Sequence, residues 1–259
     1  MTSKENNEET ISFFEKNNFF NYPKESIKFF MQGEMILMGK DYNFLLNEKG
    51  NLQFASNGNG SIYLSMKKNG IIEDMKSKGI EWVYICSVDN ILLKMVEPVL
   101  LGLSIKQENK IASKTIIKRS PNEKVGVFCK RNGKPSVIEY TELSEEMSKR
   151  VDEEGNLIFG ESHIMCNLFS IDAIDKISNV DLPYHVAFKA IKYYEDLKLI
   201  EPNEPNAYKF EQFIFDSFSL FDDITLLRGK REEDFAPVKN KHGEDSPQTA
   251  IELYNNYWN

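Results

Sequence analysis

The 259-residue chain is 41% apolar and 28% charged, long enough for one large domain or two small ones around a real core. Forty acidic against 32 basic residues give a formal charge of -8, which excludes nucleic acid or an anionic membrane as the main partner and confines any phosphate site to a local pocket. Cys86, Cys129 and Cys166 lack the CxxC spacing of a zinc or redox pair and read as reduced core thiols, and neither a signal peptide nor a run of roughly 18 apolar residues is present, so the cytoplasm is the expected address.

In chain order, NNEETISFFEKNNFF from Asn6 predicts a helix with a Phe-rich face, and SIKFFMQ a strand. DYNFLLNEKGNLQFA reads as a hairpin about Glu48-Lys49-Gly50, and SIYLSMKKNGIIEDMKSKGI places Ile62, Met66, Ile71, Ile72 and Met75 at helical spacing. EWVYICSVDNILL is the clearest strand, a continuous apolar run of the kind buried in a parallel sheet, ending in the polar pair Asp89-Asn90. MVEPVLLGLSIKQ predicts a helix, IASKTIIKR a strand, and VGVFCKRNGKPSVIEY a hairpin with Asn-Gly at its tip. Helix SEEMSKRV, strand IMCNLFSI and helix IDAIDKIS continue an alternation that favours an α/β sheet covered on both faces. KFEQFIFDSFSLF reads as an aromatic helix, ITLLRGK as a strand, and SPQTAIELYNNYW as a final helix capped by Ser246 with Pro247 in its first turn.

Several residues have two readings. The NGNG of Asn57–Gly60 is a turn, or a loop whose amides meet a ligand; it lacks the GxxxxGK[ST] of a P-loop. Asp89, at the end of a buried strand, caps the next helix or holds Mg2+ beside a phosphate. Glu139 and Tyr140 are a solvated strand end or acceptors for sugar hydroxyls. Lys209 and Lys239 solvate the surface or reach a substrate phosphate, and the three histidines show no ligand spacing, so no nucleophile is assigned.

Taken together, FASNGNGSIY, YICSVDNILL, PNEKVGVFCKRNGKPSVIEYTEL, KFEQFIFDSF and DFAPVKN resemble, in order and spacing, the eukaryotic-type UDP-N-acetylglucosamine pyrophosphorylases. The resemblance implies a GT-A-like, doubly wound mixed sheet with helices on both faces, Mg2+ as cofactor, and formation of UDP-N-acetylglucosamine and pyrophosphate from UTP and N-acetylglucosamine 1-phosphate. By it, Gln32 and Gly58 match uridine contacts, Lys209 a UTP contact, and Asp89 the acidic residue at the phosphates and metal. Asn59, Glu139, Tyr140, Phe213, Phe215 and the position of His163 match the sugar pocket, and Lys239 matches a catalytic lysine at the sugar phosphate. Phe213 and Phe215 read equally well as the core of an amphipathic helix.

The chain departs from that family in three places. It has no L-x-G-G-x-G-T-R-x-G loop for the triphosphate, it carries His163 where Asn is usual, and the family's C-terminal β-rich domain has no counterpart. The expectation is therefore a single partial nucleotidyltransferase domain over 1–259, ending in the 246–259 helix, with little transfer activity alone and a tendency to self-associate. A non-catalytic fragment that binds UDP-sugar or nothing, and a UDP-glucose or broader UDP-sugar pyrophosphorylase, are the alternatives.

Overall fold

A computed structural model describes all of residues 1–259, which divide into two compact units, each made from two stretches of chain. The first comprises Met1–Asp74 and Asp175–Ser217; the second comprises Met75–Ile174 and Phe218–Asn259.

In the first unit, strand Ala207–Glu211 lies between Met38–Gly39 and His185–Lys189, antiparallel to both. Glu34–Ile36 pairs with Phe54–Ser56, and Tyr193–Glu195 with Lys198–Ile200, as two antiparallel ribbons. Leu37, Leu45 and Ala207 form a buried cluster with Ala55, Ile191 and Tyr193 against it. Helices Asn7–Lys16 and Ile62–Lys68 form where their apolar spacing predicts them, and the second stops at Asn69-Gly70, where Gly70 takes φ +67°.

Two expectations are corrected here. SIKFFMQ contributes only an isolated bridge, Met31 with Thr2, because no neighbouring strand offers it a ladder. KFEQFIFDSFSLF is not a helix: its first residues belong to strand Ala207–Glu211, and only Ile214–Leu220 coils, as a 3-10 helix. Pairing with two distant strands overrides the local aromatic spacing, since Phe serves either structure.

The second unit is built on a mixed six-stranded sheet in which Thr225–Arg228, Ile111–Ile117, Glu161–Ser170, Val127–Arg131 and Lys134–Ile138 follow one another, while Trp82–Cys86 also pairs with Glu161–Ser170. Thr225–Arg228 and Ile111–Ile117 run parallel; the other pairs are antiparallel. The apolar run WVYIC is thus an antiparallel strand, mostly half-buried, rather than a strand enclosed in a parallel sheet. Helix Pro98–Lys106 covers one face, with Leu100 against Ala112 and Leu168; Phe218 packs against Phe128 and Phe169. The Asn132-Gly133 tip has φ of 51° and 78°, the positive pair that a tight hairpin needs. Ser246 caps helix Pro247–Trp258 through a reciprocal box with Thr249.

Candidate functional site

Sequence-predicted residues fall into one set in each unit. In the first, the register of Glu34–Ile36 on Phe54–Ser56 decides the geometry: Glu34 faces Ser56 at the end of the ladder, with Gln32 two residues before it and Gly58 two residues beyond its partner. The Asn57 amide donates to the Gly33 carbonyl at 3.2 Å along that path. The NGNG loop is then fastened to the segment after strand Ala207–Glu211. Gln212 donates its amide to the Asn57 carbonyl (2.9 Å) and accepts at its own carbonyl from the Gly60 amide (2.8 Å), while the Asn59 side chain accepts from the Ile214 amide (2.9 Å). Gly58 has φ +88°, and a Cβ there would overlap the Gln212 carbonyl oxygen, so both conformation and space demand glycine.

That fastening places Phe213 and Phe215 directly after the loop's partner. Their rings lie 5.1 Å apart, Phe213 lies 4.6 Å from the His185 imidazole, and His185 Nε2 lies 3.0 Å from Asp216. Phe215 is buried and Phe213 half-buried. Lys209 projects from the strand with its ammonium 2.9 Å from Glu211.

In the second unit, the SVDN segment and the APVKN segment are joined. The Val238 amide donates to the Asp89 carbonyl at 2.8 Å, the Ser87 hydroxyl donates to the Asp89 carboxylate, and Asn90 bridges to Pro237. Lys239 follows at once, its ammonium 5.8 Å from the centre of the Phe235 ring. Lys239 and the half-exposed Tyr140 line a cavity of about 710 Å3, together with Arg119, Lys124 and Phe235. Glu139 precedes Tyr140 at the end of the hairpin, its carbonyl accepting from the amides of Glu142 (2.9 Å) and Leu143 (3.1 Å).

His163 stands apart from that cavity. It is 8% exposed, edged by Phe128 and Phe218, and its Nε2 lies 3.1 Å from the Asn167 side-chain oxygen. Burial pushes its pKa down to about 4, so the ring is neutral near pH 7.

With this geometry, similarity to known proteins decides the family. Residues 1–244 match the family model described as UTP–glucose-1-phosphate uridylyltransferase. The chain belongs to the UDP-sugar pyrophosphorylase family. It is 37% identical to the UDP-N-acetylglucosamine pyrophosphorylase of Saccharomyces cerevisiae over 98% of its own length and 55% of that protein. A crystal structure of the Trypanosoma brucei UDP-N-acetylglucosamine pyrophosphorylase with an inhibitor aligns with TM-score 0.81 and 29% identity, over 96% of this chain and 51% of that one. An Entamoeba histolytica structure assigned to the same enzyme aligns with TM-score 0.90 and 32% identity, over 99% and 64%. The chain spans about half the length of the curated relatives it matches.

Within this pyrophosphorylase fold, sequence reasoning missed three groups. Lys114, Glu97 and Asp234 form a buried ion cluster, with Lys114 Nζ 2.8 Å from Glu97 and 2.6 Å from Asp234. His185 and Asp216 meet across 31 residues of chain, so no local pattern announces them. Arg119 and Lys124 flank SPNE, an ordinary polar turn as written, and become cavity residues only through the fold. No group of three His, Cys, Asp or Glu side chains is arranged to hold a metal ion.

Proposed function

We propose that these residues form the uridine- and sugar-recognising part of an enzyme that makes UDP-N-acetylglucosamine and pyrophosphate from UTP and N-acetylglucosamine 1-phosphate. The observation that carries the reading is the joining of the Asp89 and Lys239 segments by the Val238 amide, which sets an acid and a cation on neighbouring loops. Similarity to the yeast enzyme supports the choice of sugar.

In this reading Gln32 and Gly58 receive the uracil and ribose, and Lys209 the UTP phosphates. Asn59, Phe213 and Phe215 in the first unit, and Glu139 and Tyr140 in the second, are the residues proposed to contact the hexosamine; His163, enclosed by Phe128 and Phe218, is not among them. Lys239 holds the sugar phosphate, whose oxygen attacks the α-phosphorus of UTP in line as pyrophosphate leaves. That oxygen is already anionic, so no general base is required. Catalysis is placement and charge neutralisation, with Asp89 as the residue that would hold Mg2+. When bound, the ion supplies charge stabilisation at the phosphates.

Calorimetry of the chain with UDP-N-acetylglucosamine, UDP-glucose and UTP, with and without Mg2+, tests the proposal. Binding of UDP-N-acetylglucosamine, weakened about tenfold or more by Lys239→Met, is the expected outcome, because a charge-assisted contact to phosphate is lost. Binding of none of the three would overturn it. The family model's own description favours one second reading, a UDP-glucose enzyme, which tighter binding of UDP-glucose would establish. Because the 259 residues hold no Gly-rich triphosphate loop, we expect little uridylyl transfer by this chain alone; robust turnover by a preparation of verified mass would refute that.

A further inference from the structure

Asn90 is 4% exposed and makes more side-chain bonds than a loop residue needs to cap a turn. Its Nδ2 donates to the Asp234 carbonyl at 2.8 Å, and its Oδ1 accepts from the amides of Ala236 at 2.8 Å and Leu92 at 3.3 Å. Main-chain bonds flank it on both sides: the Ile91 amide to the Ala236 carbonyl (3.2 Å), and the Val238 amide to the Asp89 carbonyl (2.8 Å). The Asp234 carbonyl is itself a fixed target. Its carboxylate is held by Lys114 Nζ at 2.6 Å, Lys94 Nζ at 3.3 Å and the Lys230 amide at 3.1 Å, and Lys114 belongs to the central strand Ile111–Ile117.

We propose that Asn90 is a positioning residue that fixes the separation of Asp89 and Lys239, and so controls binding of a nucleoside diphosphate sugar without touching it. The inference rests on the roles given above to those two residues. A carboxamide suits the task because it donates and accepts at once. An aspartate would keep both accepting bonds but oppose its charge to the Asp234 carbonyl, and alanine would lose all three. Displacements on the order of 1 Å in such a pair are costly to binding and reaction geometry.

The test uses the full chain with Asn90→Ala, Asn90→Asp, Lys239→Met and the Asn90→Ala/Lys239→Met double variant. Amide hydrogen exchange at Ala236 and Val238 is read without ligand, against global unfolding measured in denaturant. Calorimetry reads the Kd for UDP-N-acetylglucosamine. Both Asn90 variants should speed local exchange beyond any change in global stability, Asn90→Asp less than Asn90→Ala; if the alanine variant does not fold, the aspartate variant carries the test. Asn90→Ala should raise Kd about tenfold when Lys239 is present but less than about threefold in the Lys239→Met background, the non-additivity expected of residues acting through one another. Unchanged exchange at both amides, or an equal Kd loss with and without Lys239, overturns the inference. Failure of the unsubstituted chain to bind overturns the reading of the site and the ligand half of this inference together, while exchange still decides whether Asn90 couples the two segments.

Discussion

Lys114 sits in the middle of a strand with 5% of its surface exposed, and two carboxylates make that burial tolerable. Replacing it by methionine preserves volume and leaves the Glu97 carboxylate without its cation, while Asp234 keeps Lys94 and the Lys230 amide. Denaturant unfolding of Lys114→Met should show a loss of about 3–5 kcal/mol, the usual cost of breaking a buried pair from one side. His163 gives a pH signature of known sign. Its folded pKa of about 4 lies below the ordinary 6.5, so the unfolded chain takes up the proton first, and stability falls as pH drops from 6.5 toward 4. The loss should reach about 3 kcal/mol, and His163→Asn should remove that component from the difference between unfolding curves at pH 7 and pH 4. Neither effect is legible in the sequence: IASKTIIKR shows a lysine in a strand but not the acids that meet it, and His163 shows no spacing that foretells an aromatic enclosure.

Elements whose cause is local were legible. The Asn132-Gly133 hairpin and the Ser246-capped helix both carry their instructions within four residues. Ser246→Ala should cost about 1 kcal/mol by thermal or denaturant unfolding, through the lost cap. The NGNG loop was legible as a turn; its anchor at Gln212 and Ile214 was not, because that partner lies about 150 residues away. Gly58→Ala should therefore cost more than the roughly 1 kcal/mol of a left-handed conformation alone, since the added methyl also meets backbone; unfolding that matches the parent within error would contradict this. The same distance explains the misread aromatic helix. Phe210 with Phe213, and Phe215 with Phe218, stand three residues apart as helical neighbours would, and only the pairing of Ala207–Glu211 with His185–Lys189 and Met38–Gly39 decides otherwise.

For the molecule as a whole, composition allowed one large domain or two small ones, and the chain divides into two compact units. No helix is long and apolar enough to cross a membrane. The sheet is mixed, with one parallel pair, as the alternating pattern foretold only in outline. Surface apolar residues concentrate between 88 and 99, where Val88, Ile91, Met95, Val96 and Val99 range from 40% to 99% exposed. Sedimentation velocity should reveal concentration-dependent association of the chain, reduced by Met95→Lys with Val96→Lys; a monomer at every concentration would count against this.

The two-stretch construction of each unit also sets a timetable. The Gly60 amide reaches the ribosome exit long before Gln212, its acceptor, has been made, and at about 5–20 residues per second that interval is on the order of 10 s. For that time the nascent NGNG loop has no anchor, and its glycines must stay soluble without one. A synonymous change that stalls translation between the two residues would lengthen this exposure and lower the yield of folded protein while leaving the amino-acid sequence untouched.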